Sequence, residues 1–301
     1  MKRAALFAIF SATMRAQVGP PLLGYLPDNG RLRPVYGIAA AAGVGGALDY
    51  GRTFAVIAVS PQQDFALASD SSTGQVLLVT QTGVAALPQA APSPDRIVMS
   101  PRGSAALLWF SATNRMQIVS GLPASPSLRE IDANFLLASP DALAIADDGT
   151  LAAGAWRDGL YLFGPNGEVS RTPLHERAYV LAFYAGSHDL AAGTRLHLFT
   201  VSNGAASAVY EGALKPAGLA MAANNQRILL AESSGSILSL DLARRSVFRA
   251  DCACEPEGLF GMGPSLFRLS RFDGTTFKLF DARTGDVLFV PLAAAGQGDA
   301  R

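Results

Sequence analysis

The 301-residue sequence predicts an all-β chain built from repeats of one short antiparallel sheet. Three observations predict it. First, apolar anchors recur at Ile57, Ile97, Leu143, Leu181, Leu219 and Leu259, with spacings of 40, 46, 38, 38 and 40 residues. That is the period of a radially repeated four-stranded unit. Second, each anchor is followed by strand-length apolar runs separated by turn residues. Third, 30 Gly and 18 Pro with few long runs of helix formers disfavour a helical bundle. The composition narrows the function as well. Half the residues are hydrophobic and 16% are charged, which excludes a disordered chain. Lys+Arg and Asp+Glu balance at 24 each, against a nucleic-acid binder, which needs a cationic surplus. Two cysteines exclude a disulfide-stapled scaffold and a Cys-rich zinc domain.

The elements follow in chain order. Lys2 and Arg3 precede the apolar stretch Ala4 to Phe10, and Ala16-Gln17 offers a small-residue cleavage site. This is the order of a secretory signal peptide, assigned to residues 1–16. The stretch falls short of the about 20 apolar residues that span a bilayer, and no later run reaches that length. The expected address is periplasmic or secreted, with no transmembrane segment. Gly24-Tyr25-Leu26 and Leu32 to Tyr36, joined by Asp28-Asn29-Gly30, read as a hairpin equivalent to the third and fourth strands of a unit. The stretch from Ile38 to Arg52, with Gly43, Gly45, Gly46 and Gly51, reads as a loop.

Six complete units come next. Prolines at 94, 140, 216 and 256 stand three residues before their anchors, a position suited to the start of a strand because the missing amide donor costs nothing there. Turns follow, as in Ser100-Pro101-Arg102-Gly103 and Asp147-Asp148-Gly149. A second apolar run (Ala105 to Trp109, Leu151 to Ala155, Ile228 to Ala231) leads to a third that alternates, as in Ile237-Leu238-Ser239-Leu240. A short fourth run, such as Val287-Leu288-Phe289-Val290, ends the unit. No unit carries a helical pattern, so a βα solenoid is excluded.

On these repeats the chain resembles the broad β-propeller superfamily of YVTN-, NHL-, quinoprotein- and WD40-like proteins, from about Leu22 to Pro291. The Trp-Asp dipeptide of WD40 blades is absent, with Leu240-Asp241 and Phe280-Asp281 near its place. The wording of a unit, as in Pro216-Ala217-Gly218-Leu219-Ala220, looks more like bacterial extracytoplasmic propellers. The expectation is a single β-propeller domain over 17–291 followed by a tail over 292–301. It has six complete four-stranded blades plus the N-terminal hairpin, with seven blades preferred over six.

The resemblance implies that ligands meet the face carrying the loops between blades and the loops after each second strand. On this chain those loops hold Asp95, Asp141, Trp156, Arg157, Asp158, Lys215, Glu257, Arg271 and Asp273 as ligand-binding candidates. Each could equally be a solvated turn residue. Cys252-Ala253-Cys254 falls in the same set of loops, as a disulfide, two thiols or half of a metal site. His175, His188 and His197 are dispersed, and none enters an inner strand. Neither a G-x-S-x-G elbow nor a phosphate-cradling glycine loop occurs. Trp109 and Trp156 are not spaced as a quinone-stacking pair, so no cofactor is expected. The function expected is an exported, monomeric binding scaffold taking a protein, peptide or glycan at its loop face. The alternative is a propeller hydrolase or lyase, which would gather carboxylates, His or a metal near the axis.

Overall fold

The computed structural model describes residues 20–136, 138–222 and 224–293. The signal peptide expected at 1–16 and the tail beyond Ala293 lie outside them. The chain is a seven-bladed β-propeller. Blade 1 holds β1 (Leu22–Asp28), β2 (Arg31–Ile38) and β3 (Ala41–Val44); blade 2 holds β4 (Phe54–Val59), β5 (Phe65–Asp70), β6 (Val76–Thr80) and β7 (Gly83–Ala86). Blade 3 runs through β8 (Arg96–Met99), β9 (Ala105–Phe110), β10 (Arg115–Ser120) and β11 (Ser127–Asp132). Blade 4 is β12 (Ala142–Ile145), β13 (Ala152–Trp156), β14 (Gly159–Phe163) and β15 (Val169–Thr172). Blade 5 follows with β16 (Val180–Phe183), β17 (Leu190–Gly193), β18 (His197–Ser202) and β19 (Ala205–Glu211). Blade 6 contains β20 (Pro216–Ala222), β21 (Arg227–Glu232), β22 (Ser236–Asp241) and β23 (Ser246–Asp251). Blade 7 ends the ring with β24 (Phe260–Gly261), β25 (Leu266–Arg268), β26 (Thr276–Asp281) and β27 (Asp286–Pro291). Each sheet is a meander of sequential antiparallel strands, four in blades 2 to 7 and three in blade 1.

Two sequence expectations change here. The N-terminal hairpin forms the first and second strands of blade 1, with Tyr25 and Pro27 on the central channel beside the other inner strands. Part of the stretch read as a loop, Ala41–Val44, pairs with β2 as the third strand. Its Ala and Gly residues carry little strand propensity, and the backbone ladder to β2 sets the conformation instead.

Every blade buries both faces. The strand β9 is buried at all six residues, because Ala105, Leu107 and Trp109 face blade 4 while Ala106, Leu108 and Phe110 face blade 2. The period-two alternation of side chains thus sends one set to each neighbour, so both sets are apolar. Seven apolar clusters result, one at each blade–blade junction, with Trp109, Met116, Trp156 and Phe163 in the one between blades 3 and 4. This accounts for the high hydrophobic content of a chain whose described residues contain no helix long and apolar enough to cross a membrane.

The ring closes between blades 7 and 1. Leu26, Val35 and Val44 pack against Phe277, Leu279 and Val290. The chain beyond β27 crosses over: Leu292 forms a parallel bridge with Val44, and the Ala293 amide donates to the Val44 carbonyl at 2.9 Å. The first residues of the expected tail thus complete the edge of the three-stranded blade. Gln63, in the β4–β5 turn, ties three blades. Its Oε1 accepts from the Tyr25 amide at 2.7 Å, and its Nε2 donates to the Ser60 and Gly261 carbonyls at 3.1 and 2.8 Å. Close approach of inner strands also dictates glycine at 218, where a Cβ would lie 2.5 Å from the Gly258 Cα.

Candidate functional site

Two places could receive a ligand: the loop face and the central channel. On the loop face the inter-blade loops and the loops after second strands come together, but their carboxylates do not converge on the axis. Asp95 turns to its own blade, accepting from the Ser111 amide and hydroxyl, each at 2.6 Å. Those Ser111 bonds hold its carboxyl below the usual range. Asp141 forms a two-pronged pair with Arg177 of the next blade, through Nε at 2.6 Å and through Nη2. Glu257 pairs with Arg271 at 2.7 Å, linking the entry loop of blade 7 to its own second loop. Asp273 caps the amides of Thr275 and Thr276. Lys215 is exposed, and its amide donates to the Glu232 carboxylate. Arg157 is exposed, and Asp158 accepts from the Tyr161 hydroxyl at 2.5 Å.

Trp156 belongs elsewhere. It is 2% exposed, sits edge-on to Trp109 and Tyr161, and donates from Nε1 to the Ala138 carbonyl at 2.6 Å. The end of β13 turns its side chain into the junction with blade 3, so an aromatic read as a loop ligand is core. Cys252 and Cys254 are joined as a disulfide, which occupies both sulfurs. Among the described residues, no three His, Cys, Asp or Glu side chains gather as a metal site. The groups through which a hydrolase or lyase would act are spread around the ring.

The loop face does concentrate recognition chemistry on blade 5. Glu176 accepts from the Thr194 hydroxyl at 2.5 Å and contacts His197 Nδ1 at 2.6 Å. Burial raises its pKa, but the Thr194 and His197 bonds outweigh that and hold the carboxyl below the usual range. These contacts fix the loop after β17. The loop then presents Arg195 with its Cζ 5.1 Å from the centroid of the Tyr179 ring. Arg177, anchored by Asp141, approaches the same ring at 5.4 Å. Leu196, between Arg195 and His197, is 51% exposed. Of this group the sequence reading singled out Asp141 and missed Tyr179 and Arg195. Only their positions, just before the inner strand and just after the second, could have pointed to them.

The second place is the channel. The seven inner strands enclose a cavity of about 370 Å³, lined by apolar residues such as Ile57, Val98, Ala182 and Met221. Most of these are half-buried because the channel side remains open. One lining residue is charged: Arg268, on β25.

No protein-family model matches the chain, and no curated protein does. Among solved structures it is similar to the β-propeller domain of Cps50 (Swd1) from Myceliophteria thermophila. The TM-score is 0.58 at 12% identity, over 79% of this chain and 86% of that one. At this identity the likeness is one of fold.

Proposed function

We propose that the protein is an exported binding scaffold that takes a protein, peptide or glycan partner on its loop face, with blade 5 as the contact centre. The observation that carries the proposal is the grouping of Tyr179 with Arg177 and Arg195 beside the exposed Leu196. Tyr and Arg are the side chains that most often dominate binding energy, since they bring large contact area together with directed donors. The Arg195 guanidinium, which makes no salt bridge among the described residues, favours an acidic partner, while Arg177 is already paired with Asp141. Binding to an array of acidic and neutral peptides and glycans, read by fluorescence, tests this. The Y179A/R195A pair is expected to weaken the best acidic binder at least tenfold, while K278A on blade 7 leaves it unchanged. Equal binding by the pair and the parent would refute the site.

Export rests on the order of charges and apolar residues at the N-terminus, with support from the Cys252–Cys254 disulfide, since such bonds persist in oxidising compartments. Production of the full chain in a Gram-negative host is expected to give periplasmic protein beginning near Gln17. Cytoplasmic protein retaining Met1 would overturn the address.

A further inference from the structure

Arg268 lies in a setting that calls for an anion. It is 8% exposed, and its burial lowers the guanidinium pKa to about 10. A charge taken out of water needs a partner of opposite sign. Within the protein it has only weak ones. Nη1 donates to the Ser270 carbonyl at 2.9 Å, and the Phe260 ring covers Cζ at 4.1 Å. The carboxylate that acts on it, Glu257, is engaged by Arg271 at 2.7 Å. No described carboxylate makes a salt bridge to Arg268.

The geometry leaves one edge of the guanidinium unused. With Nη1 committed to Ser270, the Nε and Nη2 edge has no protein acceptor among the described residues. That edge presents two parallel N–H bonds, the arrangement that receives a carboxylate two-pronged. The other lining side chains are uncharged and mostly apolar: Gln63 uses its amide in the three bonds that tie the blades, the Ser100 hydroxyl accepts from the Ala105 amide at 3.1 Å, and Tyr25 adds a neutral phenol. The volume of about 370 Å³ falls within the range of small-molecule sites.

We infer that the central channel binds a small monocarboxylate with an apolar body, the carboxylate held by the Nε–Nη2 edge of Arg268 and the apolar part lying among the inner strands. An inorganic anion would satisfy the charge and leave the apolar walls wet. A neutral apolar molecule would fill the walls and leave the arginine unpaired. An amphipathic carboxylate does both, and this site stands apart from the blade 5 patch.

Calorimetric titration of the native protein with sodium decanoate, decan-1-ol and inorganic phosphate tests the inference. Decanoate is expected to bind saturably and at least tenfold more tightly than decanol, with no measurable heat from phosphate. R268M, close in shape but uncharged, is expected to lose at least tenfold for decanoate while keeping the decanol affinity. A220F, which narrows the channel and leaves Arg268 in place, is expected to lose both ligands. Circular dichroism checks that each variant keeps its sheet content. The inference is overturned if the parent binds no decanoate, if decanol binds as well, or if R268M binds decanoate like the parent.

Discussion

Asp70, at the end of β5, accepts from the Ser72 hydroxyl at 2.6 Å and from the Ser72 and Thr73 amides at 2.8 and 3.0 Å. These bonds, the Ser72 hydroxyl first among them, pull its pKa down from 3.8 to about 2. Asp95 and Asp273 are lowered in the same direction by Ser111 and by Thr275. A carboxylate whose folded pKa is depressed adds stability that is complete above its unfolded value and is lost as the pH falls through the folded value. The thermal midpoint is therefore expected to hold down to about pH 4 and drop from there toward pH 2. A flat midpoint across that window would show that these bonds carry no net stability. The same residues explain why acidic positions that were legible as loop candidates form no central site. Asp273 is captured by amides of its own turn, Asp95 by Ser111 across its blade, and Asp141 and Glu257 by the arginines at 177 and 271.

At the scale of elements, the β4–β5 turn has the widest reach. Gln63 holds a positive φ of 65° while its amide bridges blades 1, 2 and 7. Q63A would leave the Tyr25 amide and the Gly261 carbonyl without that partner. Each buried group left unpaired costs about 1–3 kcal/mol, so a loss of about 2–6 kcal/mol is expected in urea denaturation. Q62A at the exposed neighbour should stay within about 0.5 kcal/mol. A Q63A loss as small as that of Q62A would mean the ring closes without the bridge. Strand runs such as Ala105 to Trp109 were legible because both faces are buried and the apolar run is unbroken. The strand β3 was not, because Ala41, Ala42 and Gly43 are held by pairing with β2 and by the crossing of Leu292. Trp156 was misplaced for a related reason. Its position at the second-strand end was correct, but which way the side chain turned depended on Trp109 and Phe163 in the cluster between blades 3 and 4.

At the scale of the molecule, the sequence by itself determined an all-β ring of units about 40 residues long. Period, turn chemistry and two-faced apolar strands are local properties, repeated often enough to leave one architecture. It also determined the charge balance and the scatter of His and Cys. Only the tertiary structure decided the blade count and the first blade's composition, since closure joins Val44 to Leu292 across the length of the chain. The same holds for both candidate sites. Tyr179 with its two arginines and Arg268 with its free edge acquire meaning from residues far apart in sequence, or on different strands, brought side by side. A repeat pattern reports what each unit has in common with the others. Binding chemistry lies in what one blade does differently, and that becomes visible only when the blades are packed around their axis.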